Sequence, residues 1–163
     1  MKTFMIPADE SSERSIERQI RSFIRHWVGL LASDKYEDAV DLILPEIPGA
    51  SGSVNSSEAT ERTPELLKAV ITNYGTPEPW EGQDQTYKVV PIDDFLRKDF
   101  EAGLNIEFRP FEMLGKNYLG GIHVDLPLNY EEGNAVGDLT ARFYFQRVSK
   151  DEMALVLHDI HML

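Results

Sequence analysis

His123 and Asp125 stand two residues apart, and Asp159 and His161 repeat that spacing near the end of the sequence. On extended backbone, residues two apart point to the same side, so each His/Asp couple shares one strand face. Neutral imidazole and carboxylate are competent metal ligands and proton carriers. Four such groups brought together could hold a divalent ion or run acid–base chemistry. That outcome requires the two strands to be adjacent and in register. The commoner reading is solvated or hydrogen-bonded strand ends, because Asp159 and His161 lie within the last five residues, where strands fray. Asp138 is a third carboxylate that could act as a base. Arg142 and Tyr144 form another couple with the same spacing. Inside a pocket the guanidinium could clamp a ligand carboxylate in a forked geometry; on a wet sheet face it would pair with an acidic neighbour. Trp27 is a further candidate for ligand contact, although a tryptophan on an apolar helix stripe is more often core. His158 is expected on the strand face opposite Asp159 and His161.

Much other chemistry is excluded. The chain has no cysteine, which rules out disulfides, thiolate nucleophiles and Cys-ligated zinc. Glycine-rich phosphate loops, the Gly-x-Ser-x-Gly elbow and the His-Glu-x-x-His helix are all missing. Gly120-Gly121 reads as a bulge or a close approach in a bent strand, not as a phosphate cradle. No metal site and no cofactor are expected. Sixteen Lys and Arg against twenty-eight Asp and Glu leave a net charge of −12. That field repels nucleic-acid phosphates and anionic membrane surfaces, so neither is an expected partner. A basic protein would be a better match, though such a charge also simply keeps a protein soluble. The opening Met1–Pro7 run is too short for a secretory segment, and no stretch approaches the ~18 apolar residues of a membrane span. A cytoplasmic location is the expectation.

The elements that would position these residues can be read from periodicity. Ile16, Ile20, Phe23, Ile24, Trp27, Val28 and Leu31 recur at three and four, predicting a long amphipathic helix capped by Ser11 or Ser12. Arg14, Arg18, Arg21 and Arg25 fall on its opposite face, which reads as a solvated stripe supported by carboxylates one turn away. A second helix is predicted from Asp34 as cap to Pro45, which stops it. Residues 45–62 are Pro-, Gly- and Ser-rich and read as a long loop. Thr63-Pro64 starts a third helix that Gly75 would end in a left-handed conformation. Beyond it the period becomes two. Thr86–Val90, Leu104–Phe108, Leu119–Leu126, Asp138–Val148 and Met153–Met162 read as strands, the last two as a hairpin, with one helical turn within 93–100. The final strand is apolar on both faces and is expected inside the sheet, covered on both sides. Three helices cover one side, so the other needs long loops or a second copy of the protein, and a homodimer through the sheet is expected.

Helices first and a run of antiparallel strands after them resemble the nuclear-transport-factor-like α+β roll over roughly residues 12–163. The segments Val124–Leu128, Asp138–Ala141 and Asp159–Leu163 are similar to a family of uncharacterised bacterial domains ending in Asp-Leu-Thr and Asp-Ile-His-x-Leu. The first resemblance implies a bent sheet wrapped around the first helix, with a pocket at the open end of the cone. The second implies a shape and no activity. The chain is thus expected to be a single α+β domain over 1–163, with an N-terminal tail at 1–10 and three helices packed on a curved, mainly antiparallel sheet. Its expected role is non-catalytic binding of a protein or small molecule, by analogy an immunity-type partner. The alternative is an isomerase- or dehydratase-type enzyme using His123, Asp125 or Asp138 in the cone, which loses its best residues if they project outward.

Overall fold

The apolar stripe of the first helix needs a surface to bury against, and it finds one. In the computed structural model of this chain, α1 (Glu13–Ala32) buries Ile16, Ile20, Phe23, Ile24, Trp27, Val28 and Leu31. The structure describes residues 6–7, 13–44, 63–113 and 115–162. The Ser11/Ser12 cap, the 45–62 loop and, apart from Ile6–Pro7, the 1–10 tail lie outside the described residues.

Asp34 does not start the second helix; it ends the first. Its φ is +61°, while Asp34 N–H bonds the Leu31 carbonyl at 3.1 Å and Lys35 N–H bonds the Leu30 carbonyl at 2.8 Å. This pair of bonds satisfies carbonyls left over at the helix end, with the left-handed residue turning the chain. The following helix, α2 (Tyr36–Leu42), has Lys35 at its N-cap and no side-chain capping bond. At its other end the Ala39 carbonyl is one of the last four, without a partner inside the helix. The Trp27 indole N–H donates to it at 3.2 Å. One buried side chain therefore fills the core and stitches α1 to α2.

Thr63 caps α3 (Pro64–Thr72), its side chain accepting from Leu66 N–H at 3.2 Å. Here too the sequence misplaces the stop by one residue. Tyr74, with φ +55°, is the first left-handed residue, and Gly75 follows it. A left-handed non-glycine costs roughly 1–2 kcal/mol. The Tyr74 ring offsets this by packing at 4.7 Å on Tyr87, and its hydroxyl hydrogen-bonds the Tyr130 hydroxyl at 2.9 Å. The single turn expected within 93–100 is a ten-residue helix, α4 (Asp94–Gly103), capped by the Asp93 carboxylate on Leu96 N–H at 2.9 Å. Arg21 and Arg25 are not simply solvated: they reach Glu101 of α4 at 3.4 and 2.9 Å.

The strands are β1 (Ile6–Pro7), β2 (Asn105–Glu107), β3 (Phe111–Met113), β4 (Lys116–Tyr130), β5 (Gly133–Arg147) and β6 (Glu152–Met162). They form one antiparallel sheet in the order β1-β6-β5-β4-β2, with β3 also on β4. Register shifts at Leu119, at Leu126 and at His158 interrupt the long ladders. Bulges of this kind bend a sheet and strengthen its twist. The predicted strand 86–90 shrinks to one bridge, Val89 to Leu128. Its neighbouring amide, Lys88 N–H, bonds the Asn129 side chain at 2.8 Å instead of a strand carbonyl. The fold is α+β, with four helices among the described residues.

One sheet face meets the helices. Ile106, Ile122, Phe143 and Leu157 form a cross-strand row on it, and Trp27 lies edge-on to Phe143 at 4.9 Å. β6 lies inside the sheet, between β5 and β1; among the described residues β1 covers Met153 and Glu152, and Leu44 N–H bonds the Leu155 carbonyl at 2.8 Å. Ala154 and Val156, on the far side of β6, are buried within the single chain. The apolar positions that called for a second copy are therefore already covered.

Tyr36 gives this packing a pH signature. Burial pushes its hydroxyl up to about 12 from 10.0, and the Asp34 carboxylate adds to the shift. A phenol with a raised folded pKa contributes stability that is complete below the unfolded value and lost as pH climbs through the folded one. Urea midpoints should fall between pH 10 and 12, and less steeply in Tyr36→Phe. Equal slopes in the two proteins would show that another group is responsible.

Candidate functional site

Register decides which of the chemistry-bearing residues meet. Asn105 pairs with His123, His123 with Arg142, and Arg142 with Asp159, so one row of polar side chains crosses four strands. The row beside it holds Asp125, Thr140 and His161. On the other side run Glu107, Gly121, Tyr144 and Val156. Side chains alternate between faces, and the intervening rows are the core rows against the helices. All these groups therefore lie on the face turned away from α1.

This corrects the expectation of an Asp/His pair inside a cone around the first helix. His123 is exposed on the outer face. Asp125 is beside it, accepting a 2.8 Å hydrogen bond from the buried Thr140 hydroxyl. Asp138 is exposed, and its backbone carbonyl accepts from the same hydroxyl at 3.4 Å. Trp27 is fully buried on the opposite side, so it belongs to the core and not to this face. The four His and Asp groups do not converge either. β4 and β6 flank β5, which sets them roughly 10 Å apart, two strand spacings. Arg142 and Thr140 stand between them. Among the described residues, no three His, Asp or Glu side chains gather as a metal would require.

What does assemble is an ion cluster around Asp159. His161 Nδ1 lies 3.0 Å from Asp159 Oδ1, and Arg142 Nη2 donates to Oδ2 at 3.4 Å. A carboxylate only accepts, so the proton in the first contact sits on the imidazole. His158 Nε2 is 3.9 Å from the same Oδ2. His158 is the bulged residue of β6, and its ring packs at 4.8 Å on Tyr144. It therefore joins the outer face instead of opposing Asp159. Arg142 is left poorly matched. Its side chain is 32% exposed, yet its Nε is buried with no hydrogen-bond partner among the described residues.

Beside Arg142 the sheet has a depression of about 250 Å³, lined by Arg142, His123, Tyr144, Phe111, Arg109 and Gly121 among others. Two glycines make it. A Cβ on Gly121 would come within 2.7 Å of the Phe143 carbonyl oxygen and 3.1 Å of the Tyr144 ring, so the floor there has no side chain. Gly120, at φ +148°, lies so close to β2 that a Cβ would overlap the Glu107 carbonyl oxygen. One wall is aromatic: Phe111 stacks on Tyr118 at 4.9 Å and meets Tyr144 edge-on at 5.2 Å. Arg109 stands at the lip, bridged to Glu107 at 3.3 Å.

The sequence reading missed Asn105, Glu107, Arg109 and Phe111. Their signal was present: they are the odd-numbered side of the alternation read in Leu104–Phe108, continued past its predicted end. In chemical terms the depression offers guanidinium, imidazole and a flat apolar wall to a small molecule. In comparisons with known proteins, no family model, no curated protein and no solved structure matches this chain.

Proposed function

We propose that this is a non-catalytic binding protein that holds a small carboxylate-bearing molecule on its outer sheet face, between Arg142, His123 and the Phe111–Tyr144 wall. The observation that carries the reading is Arg142, which lines the depression while the side-chain acceptor that the described residues give its guanidinium, Asp159, is 3.4 Å away. A ligand carboxylate beside the guanidinium would supply acceptors in the forked geometry that arginine favours. The depression, at about 250 Å³, falls just below the ~300 Å³ at which drug-sized sites begin, so the ligand is small. Phe111 and Tyr144 suit a flat or apolar body attached to the carboxylate.

The architecture is read in the same spirit as a nuclear-transport-factor-like roll. Support comes from the order of elements, the long α1 against the sheet, and the bulges that bend β4 and β5. The interior that would form a pocket in that family is filled here by Trp27, Phe143 and Phe145, all fully buried. A ligand then has to use the other face.

Isothermal titration with benzoate tests this, with neutral benzamide as the matched control. Benzoate should bind, while benzamide should bind more weakly by about tenfold to a hundredfold, the worth of a charged hydrogen bond. Arg142→Met should abolish the difference between the two. Benzoate binding that survives this substitution unchanged, or no benzoate binding to the native protein, would overturn the proposal.

A further inference from the structure

A second concavity, of about 700 Å³, lies between the first turns of α4 and the β4–β5 turn. It shares no lining residue with the Arg142 depression. Its lip carries Phe95, which is 81% exposed, the most exposed large apolar side chain among the described residues. A phenylalanine placed in water on a helix gains nothing for folding, and exposed apolar groups rimmed by charge mark contact surfaces. Its floor is aromatic, with Tyr87 and Tyr130 at 5.8 Å in an edge-to-face arrangement. The Tyr130 hydroxyl is fixed by its 2.9 Å bond to Tyr74. Among the described residues, the charged ones lining the groove are Asp99, Glu131 and Glu132, with no Lys, Arg or His. Burial first, then Tyr74, Asp84 and Glu131, raise the pKa of Tyr87, so acidic groups crowd its hydroxyl from two segments.

We propose that this groove docks a basic segment of a partner protein, an apolar side chain of the segment packing on Phe95. Its Lys or Arg side chains lie over Tyr87 and Tyr130 and against Asp99, Glu131 and Glu132. Charge complementarity selects this occupant. The groove is uniformly acidic within a chain of net charge −12, which steers cationic partners and repels anionic ones. The tyrosine faces add attraction for a cation that neutral apolar ligands cannot use. A second copy of this chain would bring the same negative field and is disfavoured.

A blocked peptide alternating arginine and leucine is the probe, titrated against the full chain by fluorescence anisotropy. Any cation is drawn to so acidic a protein, so three variants separate the groove from bulk charge. Phe95→Ser keeps the charge, Glu131→Gln with Glu132→Gln removes two groove carboxylates, and Glu37→Gln with Asp38→Asn removes two exposed carboxylates on α2. The groove variants should weaken binding at least about tenfold, with the α2 variant within about twofold of native. Equal weakening by both carboxylate pairs, native affinity in Phe95→Ser, or no binding to the native chain would overturn the proposal. So would sedimentation showing a dimer that Phe95→Ser dissolves, because the occupant would then be a second copy.

Discussion

Trp27→Ala is expected to lower the melting temperature by roughly 10 °C, or to prevent folding altogether. Replacing a buried tryptophan by alanine costs about 3–5 kcal/mol, and a domain of this size loses roughly 2–4 °C per kcal/mol. Since native domains are stable by only ~5–15 kcal/mol, the change removes a large share of the total. Trp27 sits where two losses add. Its ring is fully buried edge-on against Phe143, and its N–H satisfies the Ala39 carbonyl at the end of α2. Trp27→Phe separates the two, retaining much of the apolar bulk while leaving that carbonyl unmet, at about 1–3 kcal/mol. Thermal denaturation of the native protein and both variants should rank them native, Phe, Ala. An alanine variant melting within about 2 °C of native would mean that the helix layer does not rest on this residue.

Gly120→Ala is the second large effect, and it acts where β2 approaches β4. The new Cβ would overlap the Glu107 carbonyl oxygen of β2, and the residue would keep a φ of +148° that side chains resist. Overpacking of this kind costs about 1–3 kcal/mol, and the positive φ adds roughly 1–2. Gly133→Ala is the matched control: its φ is +129°, but nothing lies within 4 Å of the added carbon. The difference between the two variants therefore isolates the close approach of β2 to β4. In hydrogen exchange, the amides of β2 should lose protection in Gly120→Ala and keep it in Gly133→Ala. Equal destabilisation by the two would show that backbone conformation, and not proximity, is the reason for glycine at 120.

The helices and strands were legible to different depths, for physical reasons. α1 was plain because seven buried positions repeat at one helical period. α4 was faint because Leu96 and Phe100 are its only buried residues, too few to set a period. Asp34 looked like a cap because aspartate suits both a helix start and a left-handed stop, and local sequence does not separate the two. The face shared by His123 and Asp125, and by Arg142 and Tyr144, followed directly from a period of two. Bulges spoiled the rest. In β6 Leu155 and Leu157 point into the core, yet Asp159 and His161, with the same parity, point out, because the extra residue His158 resets the alternation. Whether β4 and β6 were neighbours, and which face α1 would cover, depended on pairing between distant segments that periodicity does not encode.

We propose that ligand binds on the outer sheet face beside Arg142. Backbone amide chemical-shift mapping during a benzoate titration tests this most directly. The account predicts progressive, saturable shifts concentrated at Gly121, His123, Arg142 and Tyr144, with α1 and α2 unmoved. Shifts confined to the helix layer around Trp27, or none anywhere at saturating benzoate, would contradict it.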